Sequence, residues 1–172
     1  MDIQLSQKER MLLEDQKNHE QICIEKYANY ANQCSDTQLK QIFNANGQVE
    51  QEHLNSINQL LSGKLPQTGQ QQGQNQNQSQ AQNQSGGQAG YQNRVNQANQ
   101  AGTATVSQNN VKDMCTDMLM TEKYVSGAYD TSIFEFQDTR VRDVLNHIQK
   151  EEQKHGEAIF QYMNSKGLYQ PQ

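Results

Sequence analysis

The stretch Glu50-Gln51-Glu52-His53 recurs 102 residues later as Glu152-Gln153-Lys154-His155. In a helix, residues three positions apart lie on the same face, so each stretch places a carboxylate beside an imidazole. Each stretch also has a glutamate 30 residues upstream, Glu20 in one case and Glu122 in the other. This shared spacing indicates an internal repeat.

The repeat extends beyond these two motifs. With a shift of 102 residues and no gap, eight residues of 20–53 are identical to their counterparts: Glu20/Glu122, Tyr27/Tyr129, Asp36/Asp138, Thr37/Thr139, Asn44/Asn146, Glu50/Glu152, Gln51/Gln153 and His53/His155. Apolar positions correspond as well, as in Leu39/Val141 and Phe43/Leu145. We interpret the chain as two copies of one structural unit.

Each copy has the pattern of a helical hairpin. Apolar residues recur every three or four positions, which is typical of helices with one buried face. Ser6 and Glu9 form a capping-box pattern, and breaks at 35–37 and 138–139 divide each copy in two. The predicted helices span 6–34, 37–62, 109–136 and 139–165. Because one hairpin cannot bury both of its apolar faces, we predict an all-α four-helix bundle.

A tract of different composition separates the hairpins. Of the 34 residues from 67 to 100, 20 are Gln or Asn, and Arg94 is the only charged residue between Leu65 and Val111. Such a tract cannot bury enough apolar area to offset the entropy of ordering it. We predict a disordered linker over 65–107 between hairpins 1–64 and 108–169 of a single bundle domain. A role in β-association or cross-linking is left open.

Composition excludes several classes of protein. The net charge of −5 argues against nucleic-acid binding as the main task, since phosphates attract a basic surface. No apolar run approaches the roughly 20 residues of a membrane span, and no signal peptide is visible, so we expect synthesis in the cytoplasm. The three cysteines form no C-x-x-C pair, which predicts core residues rather than a thiolate zinc site or a disulfide.

The repeated glutamates and histidines lie on the apolar faces, where unpaired charges are costly. Two divalent cations would balance the four carboxylates, and neutral imidazoles would complete the ligand set. One Glu from each of two helices and Glu-x-x-His from each of two others is the pattern of di-iron and di-manganese bundles. Oxygen and imidazole ligands suit Fe or Mn. We predict two divalent ions, bridged by Glu50 and Glu152, with these ligands: Glu20, Glu50, His53, Glu122, Glu152 and His155. The alternative is a polar layer without metal, or glutamates at the solvated edge of the apolar faces.

Residues near these ligands carry weaker predictions. Tyr27 and Tyr129 follow the first glutamate of each copy by two helical turns, and they either hydrogen-bond to a ligand or pack as ordinary core aromatics. Four other residues are predicted to be exposed: His19, His147, Glu52 and Glu151.

In its ligand pattern the pair of hairpins resembles the ferritin-like superfamily, especially rubrerythrin-type bundles. The second hairpin resembles the Coat F family of bacterial spore coat proteins in four stretches, at 112–113, 123–130, 140–145 and 162–169, of which Met163-Asn164-Ser165-Lys166-Gly167-Leu168-Tyr169 is the most specific. The resemblance implies a ferritin-like bundle in the spore coat, with other coat proteins as partners. The alternative function is a di-iron or di-manganese oxidoreductase acting on oxygen, peroxide or ferrous iron. Catalytic residues and homo-oligomerisation are left open.

Overall fold

The computed structural model describes residues 2–66 and 108–169, with the side chains of 108 and 109 excepted. It has four helices: α1 Gln7–Gln33, α2 Thr37–Leu61, α3 Gln108–Ile133 and α4 Thr139–Ser165. No strand occurs in these two ranges, and the predicted all-α class is confirmed. The predicted linker at 65–107 lies outside the described residues, apart from its first two positions.

The helices pack as two hairpins that lie against each other. α1 packs on α2 and α3 packs on α4, as the repeat predicted. α1 also contacts α3, and α2 contacts α4, so the order around the bundle is α1, α2, α4, α3. Corresponding helices of the two copies are therefore neighbours, and equivalent residues of the repeat face one another.

Polar side chains begin three of the helices. Ser6 accepts a hydrogen bond from the backbone of Glu9, and the Glu9 carboxylate accepts one from the backbone of Ser6, so the predicted capping box is present. Asp36 caps α2 and Asp138 caps α4, each by accepting a bond from a backbone amide of the first turn. These side chains satisfy amides that have no partner within the helix.

The hairpin breaks differ from the prediction in one place. α3 was predicted to continue to residue 136, but it ends at Ile133. The backbone then turns, and Phe136, only 2% exposed, enters the core beside Val141 and Leu145. Phe136 has the spacing of a residue on the apolar face of α3, but it lies in the connecting turn and reaches the core from there.

The apolar core forms two clusters, one on each side of a polar layer. One contains Leu13, Ile57, Tyr129, Leu145 and Ile148, and the other contains Tyr27, Phe43, Met118, Ile159 and Tyr162. All three cysteines are buried and free, as predicted for core residues. Within the described ranges no helix combines the length and apolar character that crossing a membrane requires. The two clusters hold the middle turns of all four helices in register around the polar layer.

Candidate metal centre

The polar layer contains all six predicted ligands. Their exposed fractions are 0% for Glu20, Glu50 and Glu152, 2% for Glu122, 3% for His53 and 4% for His155. One ligand atom from each residue of Glu20, Glu50, His53 and Glu152 lies within 4.8 Å of the others, and the same holds for Glu50, Glu122, Glu152 and His155. We call these six residues the Glu–His cluster. It can hold a metal ion in either group, and Glu50 and Glu152 belong to both.

The two imidazoles direct the same nitrogen at the carboxylates. His53 Nδ1 lies 3.1 Å from Glu50 Oε2 and 3.0 Å from Glu152 Oε1. His155 Nδ1 lies 3.0 Å from Glu50 Oε1 and 3.6 Å from Glu152 Oε2. The rings are stacked with their centroids 5.7 Å apart. Each histidine therefore serves one end of the cluster, while Glu50 and Glu152 lie between them.

Several carboxylate oxygens of the cluster lack hydrogen bonds. Glu20 Oε2, Glu122 Oε2 and both oxygens of Glu152 are buried and accept no hydrogen bond from the part of the chain that the structure describes. Each lies 3.0–3.7 Å from a histidine Nδ1, but without the geometry of a hydrogen bond. Leaving a buried charged acceptor without a partner costs more than the roughly 1–3 kcal/mol of a neutral group. These oxygens and the two Nδ1 atoms form a donor set of the kind that hard or borderline divalent cations bind. The residues present thus fit a metal ion.

Two tyrosines link the cluster across the hairpins. Tyr27 on α1 donates a hydrogen bond to Glu122 Oε1 on α3, and Tyr129 on α3 donates one to Glu20 Oε1 on α1. Both tyrosines are fully buried, and Tyr27 also packs against Phe43 with ring centroids 5.8 Å apart. Hydrogen bonding and aromatic packing, the two alternatives of the sequence analysis, therefore occur together.

Two of the residues predicted to be exposed are not. The Glu151 side chain is only 23% exposed, and its Oε2 lies 3.2 Å from Nε2 of His53. His19 is half-buried, and its ring makes an edge-on contact with Tyr124, with the ring centroids 5.4 Å apart. Glu52 and His147 are exposed as predicted. The contact of Glu151 joins α4 to α2, and because it depends on how the helices are rotated in the bundle, no spacing within either helix indicates it.

Burial and neighbouring charges separate the acidities of the four glutamates. Burial raises the pKa of Glu20 to about 8, with Glu152 and Glu50 adding to this effect and His53 opposing it. Burial also raises the pKa of Glu122 well above its usual range. For Glu50 and Glu152 the effect of burial is outweighed by close contacts with His155 and His53, which lower the pKa, to about 2 for Glu152.

The pKa values of both histidines are raised. Burial lowers the pKa of His155, but contacts with Glu122, Glu152 and Glu50 outweigh it and raise the pKa to about 11. Contacts with Glu151, Glu152 and Glu20 likewise raise the pKa of His53 above its usual range. At neutral pH, without metal, these shifts favour the protonated forms of Glu20 and His155. Divalent cations would compete with those protons for the same atoms.

The cysteine beside the cluster has a different character. Burial, together with the charges of the cluster carboxylates, raises the pKa of Cys23 well above its usual range. Neither ligand group of the described residues includes a cysteine, so the ligand atoms of the cluster are carboxylate oxygens and imidazole nitrogens.

The second hairpin matches a known protein family. Residues 110–172 match the family model of the Coat F domain. No curated protein and no solved structure matches the chain. The matched residues include Glu122, Glu152 and His155, and they cover nearly all of α3 and the whole of α4. The second hairpin is thus similar to the Coat F domain.

Proposed function

We propose that this protein is a component of the spore coat whose helical bundle binds two divalent metal ions, Fe or Mn, in the Glu–His cluster. The coat role is supported by the match of residues 110–172 to the Coat F domain. The metal role is carried by one observation, the buried carboxylate oxygens that accept no hydrogen bond between two buried imidazoles. Other coat proteins would be its partners.

The composition of the cluster supports a dinuclear site. Glu50 and Glu152 belong to both ligand groups and would bridge the ions. Glu20 with His53 would complete one position, and Glu122 with His155 the other. Two divalent ions carry four positive charges, which four ionised glutamates neutralise. The buried layer would then hold no uncompensated charge, the condition under which charged groups are tolerated in a core.

The arrangement of the helices supports a ferritin-like architecture. α1 and α3 each supply one glutamate, while α2 and α4 each supply Glu-x-x-His. In ferritin-like carboxylate proteins the ligands project inward from four helices in this distribution. In the coat, the bundle would act as a rigid unit, and the Gln/Asn-rich linker predicted from composition would act as a flexible arm.

Metal analysis tests the proposal. The full-length chain is loaded with Mn²⁺ or Fe²⁺, dialysed and analysed for metal. We expect two ions per chain, a lower melting temperature after chelation, and the loss of both effects when Glu50→Gln and Glu152→Gln are combined. Metal binding stabilises only the folded chain, which has the preformed site. The matched control is Glu52→Gln, an exposed neighbour. A loaded chain that keeps no metal contradicts the metal role.

A depression in the surface favours the alternative, an oxidoreductase acting on oxygen, peroxide or ferrous iron. It has a volume of about 280 Å³ and lies between α1 and α3, with Cys23 and Val125 among its lining residues. Cys23 follows Glu20 by three positions on α1, and Val125 follows Glu122 by three positions on α3. The inner wall of the depression therefore adjoins the helix faces that carry two of the cluster glutamates. Peroxide consumption that the loaded chain shows and the double variant lacks would support this function. Loaded protein without activity would support a structural role alone.

A further inference from the structure

We propose that the two metal positions are not equivalent, and that the position at His53 holds its ion more tightly because Glu151 orients the His53 ring. This inference rests on the proposed metal site. We call the two ends of the cluster the His53 position, which includes Glu20, and the His155 position, which includes Glu122. The internal repeat makes the two positions directly comparable, so each difference between them can be read from paired residues.

The first difference is the partner of the outer ring nitrogen, Nε2, of each histidine. His53 Nε2 is 3.2 Å from Glu151 Oε2. An ionised carboxylate can only accept, so Nε2 carries a hydrogen, and an ion between Glu50 and Glu152 would replace the proton on Nδ1. The 102-residue shift that pairs His53 with His155 also pairs Glu151 with Val49, which has no acceptor in its side chain. In the described ranges Nε2 of His155 forms no hydrogen bond or ion pair.

Glu151 has two basic neighbours on its own helix. Lys154 Nζ lies 3.5 Å from Glu151 Oε1, and His147 Nε2 lies 3.7 Å from Glu151 Oε2. These exposed contacts are weak, and the shorter contact of Glu151 is the one with the His53 ring on α2. A carboxylate behind a histidine ligand fixes the tautomer and the ring orientation and raises the basicity of the other nitrogen. These effects strengthen metal binding at the His53 position only.

The second difference is the hydrogen bonding of the tyrosines that contact Glu20 and Glu122. It also favours tighter binding at the His53 position. Asn46 Nδ2 donates a hydrogen bond to the Tyr27 hydroxyl at 3.1 Å, and Tyr27 in turn donates to Glu122. A hydroxyl that accepts a hydrogen bond becomes a stronger donor, because such chains polarise one another. Tyr27 thus withdraws more charge from Glu122 and weakens it as a ligand of the His155 position. The repeat pairs Asn46 with Ile148, which cannot act on Tyr129 in this way.

A titration of the metal-free full-length chain with Mn²⁺, followed by the electron paramagnetic resonance of free Mn²⁺, tests the inference. We expect two binding steps for the unmodified chain, the first at least about tenfold tighter than the second. Glu151→Val, which copies Val49 of the other repeat, should weaken the first step by about 10–100-fold and leave the second unchanged. Glu151→Asp should restore part of the loss. Glu52→Val is the matched control and should alter neither step.

A second variant, in which the other repeat gains a glutamate, keeps the test valid if Glu151→Val fails to fold. Val49→Glu puts a carboxylate at the position that the repeat pairs with Glu151. It should tighten the second step, while circular dichroism reports whether each variant folds. Two ions bound with equal affinity by the unmodified chain would overturn the inference and leave the proposed metal site standing. A first step that Glu151→Val leaves unchanged would overturn the role of Glu151. Failure to bind any ion would instead contradict the proposed function itself.

Discussion

At the scale of single residues, the cluster is stabilised by partners drawn from the opposite hairpin. Tyr27 bonds to Glu122 and Tyr129 bonds to Glu20, so each hairpin satisfies one carboxylate oxygen of the other. Buried polar groups are costly unless they are paired, and the loss of one partner leaves the other group unsatisfied. These tyrosines therefore connect the chemistry of the cluster to the stability of the bundle.

Removal of either tyrosine hydroxyl should destabilise the metal-free chain. Tyr27→Phe or Tyr129→Phe leaves a buried oxygen of Glu122 or Glu20 without its donor, and we expect the free energy of unfolding to fall by about 1–3 kcal/mol. Urea denaturation followed by circular dichroism measures the change. Tyr124→Phe, at a tyrosine that is 66% exposed, is the control. Equal stability of the three variants would show that the two bonds contribute nothing.

The protons stored in the cluster predict opposite effects of pH on stability and on metal affinity. The pKa of Glu20 is raised from 4.5 to about 8, and that of His155 from 6.5 to about 11. A raised pKa contributes stability that is complete below the unfolded value and is lost as pH approaches the folded value. The melting temperature of the metal-free chain should therefore fall from pH 5.5 to pH 8. Metal affinity should rise over the same range, because fewer protons compete with the ions.

Thermal melts of the chelated and the Mn²⁺-loaded chain at the two pH values check this prediction. The stabilisation by Mn²⁺ should be larger at pH 8 than at pH 5.5. A chelated chain that melts at the same temperature at both pH values would contradict the proton storage in Glu20 and His155.

The sequence predicted the members of the Glu–His cluster better than the residues that contact them. All six Glu and His residues could be chosen because the repeat and the i, i+3 spacing are properties of single helices. Glu151 was predicted to be exposed because it is adjacent to Glu152 and lacks a counterpart in the other copy, where Val49 stands. Its contact with His53 joins α4 to α2, and only the packing of those helices shows it.

At the scale of helices and turns, the Glu9 carboxylate at the start of α1 accepts two backbone hydrogen bonds. Glu9 Oε2 accepts from the Ser6 backbone at 2.7 Å, while Oε1 accepts from the Gln137 backbone at 2.8 Å. The first bond closes the capping box, and the second ties α1 to the turn between α3 and α4. The capping box was predictable from local sequence. The bond to Gln137 was not, because it depends on the end of α3 at Ile133 and the inward turn of Phe136.

Truncation of Glu9 should therefore cost more than the loss of a helix cap. Glu9→Ala removes the capping box and leaves the backbone amide of Gln137 without its acceptor. We expect a loss of about 2–3 kcal/mol in the free energy of unfolding, against about 1 kcal/mol for a cap alone. Urea denaturation measures it. Glu14→Ala, at an exposed position of the same helix, should change stability by less than about 1 kcal/mol. A Glu9 variant as stable as this control would refute the double role.

At the scale of the whole molecule, the two hairpins share one core. Each apolar cluster contains residues of all four helices, and the polar layer between the clusters combines ligands from both copies. The repeat predicted this pairing, since a hairpin with two apolar faces has to bury them against a partner. Neither hairpin contains a complete ligand group, so the cluster exists only when both copies associate.

Cleavage between the hairpins should leave the bundle intact. The Gln/Asn-rich composition of 67–100 predicts that limited proteolysis cuts there first. The two fragments should then elute together in size-exclusion chromatography and keep their helical circular dichroism, because α1 contacts α3 and α2 contacts α4. Fragments that separate under native conditions would show that the hairpins do not share a core.

The central claim is that the Glu–His cluster binds two ions between Glu50 and Glu152. Anomalous X-ray diffraction from crystals of the Mn²⁺-loaded full-length chain tests it most directly. The account predicts two anomalous peaks inside the bundle, about 3.5–4 Å apart, each beside Nδ1 of one histidine. No peak in the cluster, or peaks only at surface carboxylates, would contradict it.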